Sequence, residues 1–214
     1  MEIPLEKRLR KRLHVEIGRL QDEVVEAAYA LDSGLVFHGG TAIWRCFNGN
    51  RFSEDIDLYC PKPEKMADGL EAALSSRALS LVKFKRTENL IFSKISNGEA
   101  EVRLEINLSA KKKGVAMRYE RINGSSMDVL CLSADELFCE KISAYENRRF
   151  VRDIYDIYHL SGMVEPEGGN AKLIAELLTG FKPPVDERNL PALIYAGAVP
   201  SVDQMLLSLK RRFG

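Results

Sequence analysis

The chain has 214 residues, and 45% of them are hydrophobic, which is enough for a proper core in one large domain or two small ones. Its 31 basic and 31 acidic residues cancel, so no overall field draws it to nucleic acid, and any such contact must come from local patches. The start of the chain is strongly charged and no long apolar run follows, so we expect a cytoplasmic protein without a membrane partner. Reduced thiols, not disulfides or a zinc site, are expected for Cys46, Cys60, Cys131 and Cys139.

The first predicted element is one long N-terminal helix. Apolar residues recur at helical spacing from Leu5 to Leu31, and Gly34 supplies a stop. Positive charge is concentrated between Lys7 and Arg12. We interpret this cluster as the solvated outer face of a packing helix, with an RNA-facing stripe as the alternative.

A glycine pair follows the next apolar run. Residues 35–37 predict a strand, which ends at Gly39 and Gly40, and a helix then begins at Thr41. Free backbone N–H groups at a helix start are suited to phosphate, so these three residues are candidate phosphate contacts, through their N–H groups and the Thr41 hydroxyl. We interpret the neighbouring His38 as a packed residue at the end of the strand and not as a catalyst.

Two carboxylates come next on a short strand. Side chains alternate along a strand, so Asp55 and Asp57 share one face while Ile56 and Leu58 anchor the other. Such a pair repels itself unless cations lie between the oxygens, and hard oxygen ligands suit Mg²⁺ that also contacts substrate phosphates. The pattern therefore predicts a metal site that handles nucleotides.

Three further strands are predicted, and the turn Asn97-Gly98 is a strong hairpin signal between the last two. Glu105 lies in the middle of the third strand, where a carboxylate is rare without a reason. Its structural alternative is an ion pair with Arg103 or with a lysine of the hairpin. The three predicted strands cover residues 81–85, 90–95 and 100–108.

Helices are predicted for most of the remaining chain, and one of them opens with the capping box Ser133-Ala134-Asp135-Glu136. Lys141 lies on the apolar-facing side of this helix, where an ammonium group needs an anion. Pairing with Glu140 or Asp156 is the structural alternative to a phosphate. The predicted helices cover residues 64–78, 133–147, 151–160, 171–178 and 201–212.

Four motifs occur in order between residues 35 and 160. Each is short and weak alone, but the ordered set resembles the DNA polymerase beta-like nucleotidyltransferase superfamily and, within it, the AbiEii-type toxin family. The motifs are His38-Gly39-Gly40-Thr41-Ala42-Ile43, Arg51-Phe52-Ser53-Glu54-Asp55-Ile56-Asp57-Leu58, Glu140-Lys141-Ile142-Ser143-Ala144 and Arg152-Asp153-Ile154-Tyr155-Asp156-Ile157-Tyr158.

The resemblance implies an α+β fold. Its core would be a small mixed sheet flanked by helices, followed by a C-terminal helical domain. We expect the nucleotidyltransferase core with the N-terminal helix at residues 1–132. The helical domain at 133–214 would close the nucleotide cleft.

The resemblance also implies a reaction. A nucleoside monophosphate would move from a nucleoside triphosphate to an acceptor hydroxyl, such as a tRNA 3′ end, and a separately encoded antitoxin would oppose the resulting toxicity. A two-ion Mg²⁺ site would be held by Asp55, Asp57 and Glu105. Glu105 takes the place of the family's usual Lys-x-Asp aspartate, as metal ligand or general base, and Asp128 is the substitute if Glu105 points away. Lys141 would be a catalytic group that neutralises the leaving pyrophosphate. The expected nucleotide contacts are Gly39, Gly40, Thr41, Lys141, Arg152, Asp153 and Asp156.

Other interpretations remain open at this stage. Ion pairing explains Arg152, Asp153 and Asp156 as well as nucleotide binding does. The acceptor could be a protein or a small molecule, or the chain could be a nucleotide-binding regulatory module without turnover. The nucleotide itself is not specified, because base recognition depends on pocket shape. Basic clusters at 7–12, 111–113 and 210–212 favour RNA only if they surround one cleft.

Overall fold

The computed structural model describes residues 3–61, 63–108, 112–167 and 169–214. No helix within these ranges is long and apolar enough to cross a membrane. The helices are α1 (Leu5–Arg8), α2 (Arg12–Leu31), α3 (Gly39–Cys46), α4 (Pro63–Ser75), α5 (Ala134–Arg148), α6 (Val151–Ser161), α7 (Asn170–Thr179), α8 (Leu190–Leu193) and α9 (Val202–Phe213), with a 3₁₀ turn at Glu187–Asn189. The strands are β1 (Val36–His38), β2 (Ile56–Tyr59), β3 (Ser80–Arg86), β4 (Leu90–Ser96), β5 (Glu101–Asn107), β6 (Val115–Glu120) and β7 (Ser126–Cys131).

Within the described residues the strands form one seven-stranded mixed sheet in the order β3-β4-β5-β2-β1-β7-β6. The pairs β3·β4, β4·β5, β1·β2 and β6·β7 are antiparallel, whereas β2 pairs with β5 in parallel and β1 pairs with β7 in parallel. Helices flank this sheet and further helices follow it, which confirms the predicted α+β fold with a C-terminal helical part.

The two faces of the sheet differ in character. In β2, Ile56 and Leu58 are fully buried, while Asp57 and Tyr59 on the other face are half-buried. Strand β5 repeats this alternation with Leu104 buried. Helix α2 contacts β5 and helix α4 contacts β3, so the apolar face is the one that they cover. The acidic residues therefore lie on the open face.

The chain divides into two compact units, each with its own internal contacts. The first comprises Met1–Cys46 and Ser53–Leu132, and the second comprises Phe47–Phe52 and Ser133–Gly214. The short segment 47–52 joins the helical unit through backbone hydrogen bonds. The Phe52 N–H donates to the Leu193 carbonyl at 2.9 Å, and the Tyr195 N–H donates to the Asn50 carbonyl at 3.0 Å.

The N-terminal helix is broken, contrary to the prediction of one long helix. Helix α1 ends at Arg8, and Leu9 has an extended backbone conformation before α2 begins. The Arg8 guanidinium binds both oxygens of Glu120 at 2.5 and 2.6 Å, and the Glu6 N–H donates to the Ile122 carbonyl at 3.0 Å. These tertiary contacts hold α1 beside the end of β6 and override the helical periodicity of the sequence.

Strands β6 and β7 were not predicted, whereas the three strands from residue 80 to residue 107 were. Strand β6 is an edge strand in which three of six residues are exposed and only one is buried, so it lacks the alternation that marks a half-buried strand. The capping box is confirmed, because the Ser133 hydroxyl accepts from the Glu136 N–H at the start of α5. Lys111, part of one predicted basic cluster, lies outside the described residues.

Candidate active site

The glycine turn after β1 presses directly against an aspartate. Gly39 has φ +73°, a left-handed conformation that side chains rarely adopt. A Cβ atom built on Gly39 would lie 2.1 Å from Oδ2 of Asp57. Glycine is thus required twice at this position, for the backbone conformation and for the space that the carboxylate occupies.

Asp57 and Glu105 are neighbours in the sheet. They are register partners on the parallel strands β2 and β5, and Asp57 also pairs in register with His38 on β1. Register partners project from the same face, so the two carboxylates lie side by side on the open face. Glu105 makes no ion pair or hydrogen bond to any other residue that the structure describes. The alternative pairing of Glu105 with Arg103 is not formed.

Asp55 has a different environment from Asp57. Its two oxygens accept from the Arg103 guanidinium at 2.7 and 2.8 Å. Across the described ranges, no group of three or more histidine, cysteine, aspartate or glutamate side chains could hold a metal ion. In this structure Arg103 satisfies both oxygens of Asp55, so Asp55 does not converge with Asp57 and Glu105 on one point, and its role as a metal ligand stays a prediction. The side chains of this ion pair are 29% and 49% exposed, so it is a weak and exchangeable one.

Thr41 has a role that differs from its predicted one. Its hydroxyl donates to the backbone carbonyl of Asp55, and its side chain is fully buried. A phosphate cannot take this hydroxyl without breaking that bond, so the predicted hydroxyl contact is wrong. Thr41 instead ties the first turn of α3 to the residue that precedes β2.

Gln21 is a positioning residue that the sequence analysis missed. Its amide donates to the carbonyls of Ser53 and Glu54 at 2.9 and 3.0 Å, and the residue is fully buried in α2. The sequence could have indicated this role, because Gln21 is a polar residue inside the apolar stripe of that helix. The loop that leads into Asp55 is thereby held from two sides, by Gln21 and by Thr41.

His38 packs against Tyr59 of strand β2. Its ring stacks on Tyr59 with a centroid distance of 4.0 Å and an angle of 20° between the ring planes. This face-to-face contact fits the predicted role of a packed residue at the end of a strand. The stacked pair borders Asp57 on the open face, because Tyr59 lies two residues beyond Asp57.

The helical unit contains a buried ion network. Lys141 Nζ lies 2.8 Å from Oδ2 of Asp156 and 3.6 Å from Oδ1 of Asp153. The Arg51 guanidinium binds both oxygens of Asp156 at 2.8 Å, and Arg148 binds both oxygens of Asp153 at 2.7 and 2.8 Å. Four of these five residues are buried, and only Arg148 reaches solvent.

Three of the expected nucleotide contacts, Arg152, Asp153 and Asp156, lie in or beside this network. The carboxylates of Asp153 and Asp156 are taken up by cations, so ion pairing, the structural alternative, describes them in this structure. Arg152 contacts the ring of Phe150 at 5.4 Å and has no place among the ion pairs of the network. Arg51 was missed as a member, although it opens the motif that contains the Asp-x-Asp strand. Its partner lies 105 residues away.

The pKa of Asp156 reflects this environment. Burial alone raises the pKa of the carboxyl, but the charges and hydrogen bonds of Arg51 and Lys141 more than offset burial and lower it to about 2. Asp156 is therefore a permanent anion at neutral pH. It is not a group that exchanges protons during a reaction.

A glycine turn pressed against an Asp-x-Asp strand, on a mixed sheet flanked by helices, is the arrangement expected from the resemblance of the motifs to nucleotidyltransferases of the polymerase beta-like class. Comparison with known proteins gives the family. The family model described as "Nucleotidyl transferase AbiEii toxin, Type IV TA system" matches residues 24–194. The chain belongs to this AbiEii family of nucleotidyltransferase toxins, and the family implies a nucleotide substrate and an antitoxin partner.

Solved structures share the fold at low sequence identity. JHP933 from Helicobacter pylori superposes with a TM-score of 0.62 at 18% identity, over 94% of this chain and 90% of that one. MenT4, a nucleotidyltransferase toxin from Mycobacterium tuberculosis H37Rv, superposes with a TM-score of 0.58 at 16% identity, over 94% of this chain and 83% of that one. A sequence search of curated proteins finds no match.

Gly39→Ala should disable nucleotidyl transfer by displacing the Asp57 carboxylate. Gly98→Ala is the matched control, because Gly98 has φ +89° with no atom within 4 Å of the added Cβ. Both variants should lose about 1 to 2 kcal/mol of unfolding free energy through the left-handed backbone. Only Gly39→Ala should lose about a hundredfold or more in transfer rate, since small misplacements of reacting groups have effects of that size. Wild-type transfer by Gly39→Ala would show that the position of Asp57 does not matter.

The low pKa of Asp156 predicts acid sensitivity. A folded-state pKa below the ordinary value of 3.8 adds stability at higher pH, and this contribution disappears as pH falls from about 4 through about 2. The expected loss of unfolding free energy from this residue is about 2 kcal/mol. The titration of the Asp156 carboxyl carbon, followed by NMR, should have its midpoint near pH 2. A midpoint near 3.8 would contradict the strength of the Arg51 and Lys141 contacts.

Proposed function

We propose that the chain transfers a nucleoside monophosphate from a nucleoside triphosphate to a hydroxyl of an RNA acceptor, such as a tRNA 3′ end, with Mg²⁺ as cofactor. The observation that carries this proposal is the pair Asp57 and Glu105, in register on neighbouring strands, with Asp57 packed against the glycine turn. Growth arrest would follow from modification of the RNA, and the antitoxin would oppose it.

The donor set around Asp57 fits a magnesium ion. Carboxylate oxygens are the hard ligands that Mg²⁺ prefers, and two of them project from adjacent strands at Asp57 and Glu105. Asp55 could join them by exchanging its solvent-exposed partner Arg103. When bound, two such ions would stabilise charge on the attacking and leaving oxygens of the phosphoryl transfer.

The protein groups have separate roles in this proposal. Backbone N–H groups at Gly39, Gly40 and Thr41 bind phosphate oxygens, because the first turn of a helix leaves these donors without intrahelical partners. Glu105 completes the metal shell or accepts the proton of the attacking hydroxyl, and its lack of a partner in the described residues supports either role. Asp55 and Asp57 serve as metal ligands in this proposal.

Lys141 is proposed to contact the distal phosphates of the triphosphate. The ion network holds three cations and two carboxylates, so it carries one net positive charge. An ammonium group has three N–H donors, and Lys141 uses its contacts on Asp156 and Asp153 only. Asp153 and Asp156 would then position Lys141, and Arg51 and Arg148 would compensate the buried carboxylates.

The direct test is a transfer assay with each nucleoside triphosphate in turn. The purified chain, Mg²⁺ and one labelled triphosphate would be incubated with total RNA, with a protein extract, or without acceptor. The proposal predicts label in RNA and release of pyrophosphate, both abolished by a chelator. Label in protein alone would replace the RNA acceptor with a protein hydroxyl, and no transfer with any triphosphate would contradict the proposal.

Asp57→Asn should abolish transfer while leaving the fold intact. The substitution keeps the size of the side chain against Gly39 but removes the charge that holds the metal. The unfolding free energy should change by less than about 1 kcal/mol, because the variant also relieves repulsion with Glu105. Asp68→Asn, at an exposed aspartate on α4, is the control that should keep full transfer. A strongly destabilised Asp57→Asn would indicate a structural role for this residue instead.

Lys141→Ala should weaken triphosphate binding far more than monophosphate binding, because the lost partner contacts the distal charge. The expected loss is about 1.5 to 3 kcal/mol, or roughly ten- to a hundredfold in affinity. Lys141→Arg should restore binding only in part, since a planar fork replaces a compact charge. If Lys141 serves the ion network alone, stability will fall while triphosphate and monophosphate affinities fall equally.

A further inference from the structure

The open face of the sheet continues outward from Glu105 across β4 and β3. The register places Phe92 beside Glu105 and Lys85 beside Phe92. The next row of register partners consists of Arg103, Lys94 and Lys83. Because register partners share a face, all of these side chains project on the same side as Asp57. We call the residues Lys83, Lys85, Phe92 and Lys94 the outer face.

The charges on the outer face are available to a ligand. Lys83 and Lys85 are exposed, and neither forms an ion pair with another residue in the described part of the chain. Lys94 is 41% exposed, and its contact with Glu101 is long at 3.7 Å. On the opposite side of the same strands, Ile91 and Ile95 are fully buried, so only one side of the sheet offers these groups to solvent.

An aromatic ring lies among these cations. Phe92 is half-buried on β4, and Lys83 Nζ lies 5.6 Å from the centroid of its ring. The stacked rings of His38 and Tyr59 lie at the other end of the same region, beside Asp57. Positive charge combined with aromatic faces is the pattern with which proteins bind unpaired nucleic acid strands, since phosphates meet the cations and bases stack on the rings.

We propose that the outer face binds an unpaired RNA segment that crosses β3, β4 and β5 toward Glu105 and Asp57. This inference rests on the proposed function, because the segment would bring its terminal hydroxyl to the carboxylates. Four strands spaced by about 4.8 Å span about 14 Å from β3 to β2. That length suits about four nucleotides at the 3.4 Å rise of a stacked strand.

Protection of the sheet edge is the competing explanation for the lysines. Lysines on an edge strand discourage pairing with other chains, and β3 is an edge strand. This explanation applies to Lys83 and Lys85 but not to Lys94, because β4 lies inside the sheet. It also gives no reason for a half-buried phenylalanine among the lysines.

The test is binding of a fluorescein-labelled, unstructured twelve-nucleotide RNA without triphosphate, measured by anisotropy over a series of salt concentrations. The variant Lys83→Ala with Lys85→Ala is compared with Arg86→Ala, an exposed cation of the same strand on the opposite face. The double variant should bind about tenfold more weakly. Its plot of log affinity against log salt should be shallower by about 1.4, as expected when two phosphate contacts of a single strand are lost. Arg86→Ala should match the wild type.

Phe92→Leu tests the aromatic contribution separately. Loss of one stacked base should weaken binding roughly five- to a hundredfold without changing the salt dependence. An RNA duplex of the same length should compete poorly, because its bases cannot stack on Phe92. Equal competition by an acidic peptide of matched charge would overturn the assignment to RNA and favour a protein partner.

The outcomes separate this inference from the proposed function. If the double variant binds RNA as tightly as the wild type, whether or not it aggregates, the inference is overturned. Edge protection then remains as the explanation of the lysines. Transfer to RNA by the wild type would still support the proposed function in that case. Loss of RNA binding in the double variant, with no nucleotidyl transfer by the wild type, would support the outer face and contradict the proposed function. Circular dichroism of the double variant and of the single lysine variants shows whether weaker binding is caused by loss of the fold.

Discussion

The contact between the backbone of Gly39 and the carboxylate of Asp57 is the constraint on which the candidate active site depends. A left-handed residue without a side chain lets the chain turn from β1 into α3 at the place where Asp57 projects from β2. The same turn lies directly against the Asp57 carboxylate. Thr41 and Gln21 hold the loop before β2, so the backbone at Asp55 is supported by buried polar groups as well.

Two pairs of carboxylates in the described structure have different electrostatic environments. Asp57 and Glu105 lie side by side on an open face, an arrangement that favours the binding of cations. Asp153 and Asp156 are buried and fully paired with Lys141 and two arginines. Removing one partner from such a buried pair leaves an uncompensated charge, which typically costs about 3 to 5 kcal/mol. The first cluster is suited to exchange ligands, and the second to hold a fixed geometry.

Local sequence patterns predicted most of the elements and the two-carboxylate face. Alternation and the Asn97-Gly98 turn predicted β3 to β5, and the strand period placed Asp57 on the open face. The exposed edge strand β6 carries no such pattern. Arg51 could not be paired with Asp156 from sequence, because nothing local connects residues 105 positions apart. The turn of Asp55 toward Arg103 depends on a cross-strand neighbour, which only the register reveals.

The separation between Arg51 and Asp156 also has a consequence for biosynthesis. At about 5 to 20 residues per second, a ribosome needs about 5 to 20 seconds to make the 105 residues between them. During that interval the segment 47–52 has emerged without the helices to which it belongs. The helical unit is therefore not formed by one continuous stretch of the chain. A nascent chain that ends before α6 contains Arg51 but not yet its partner Asp156.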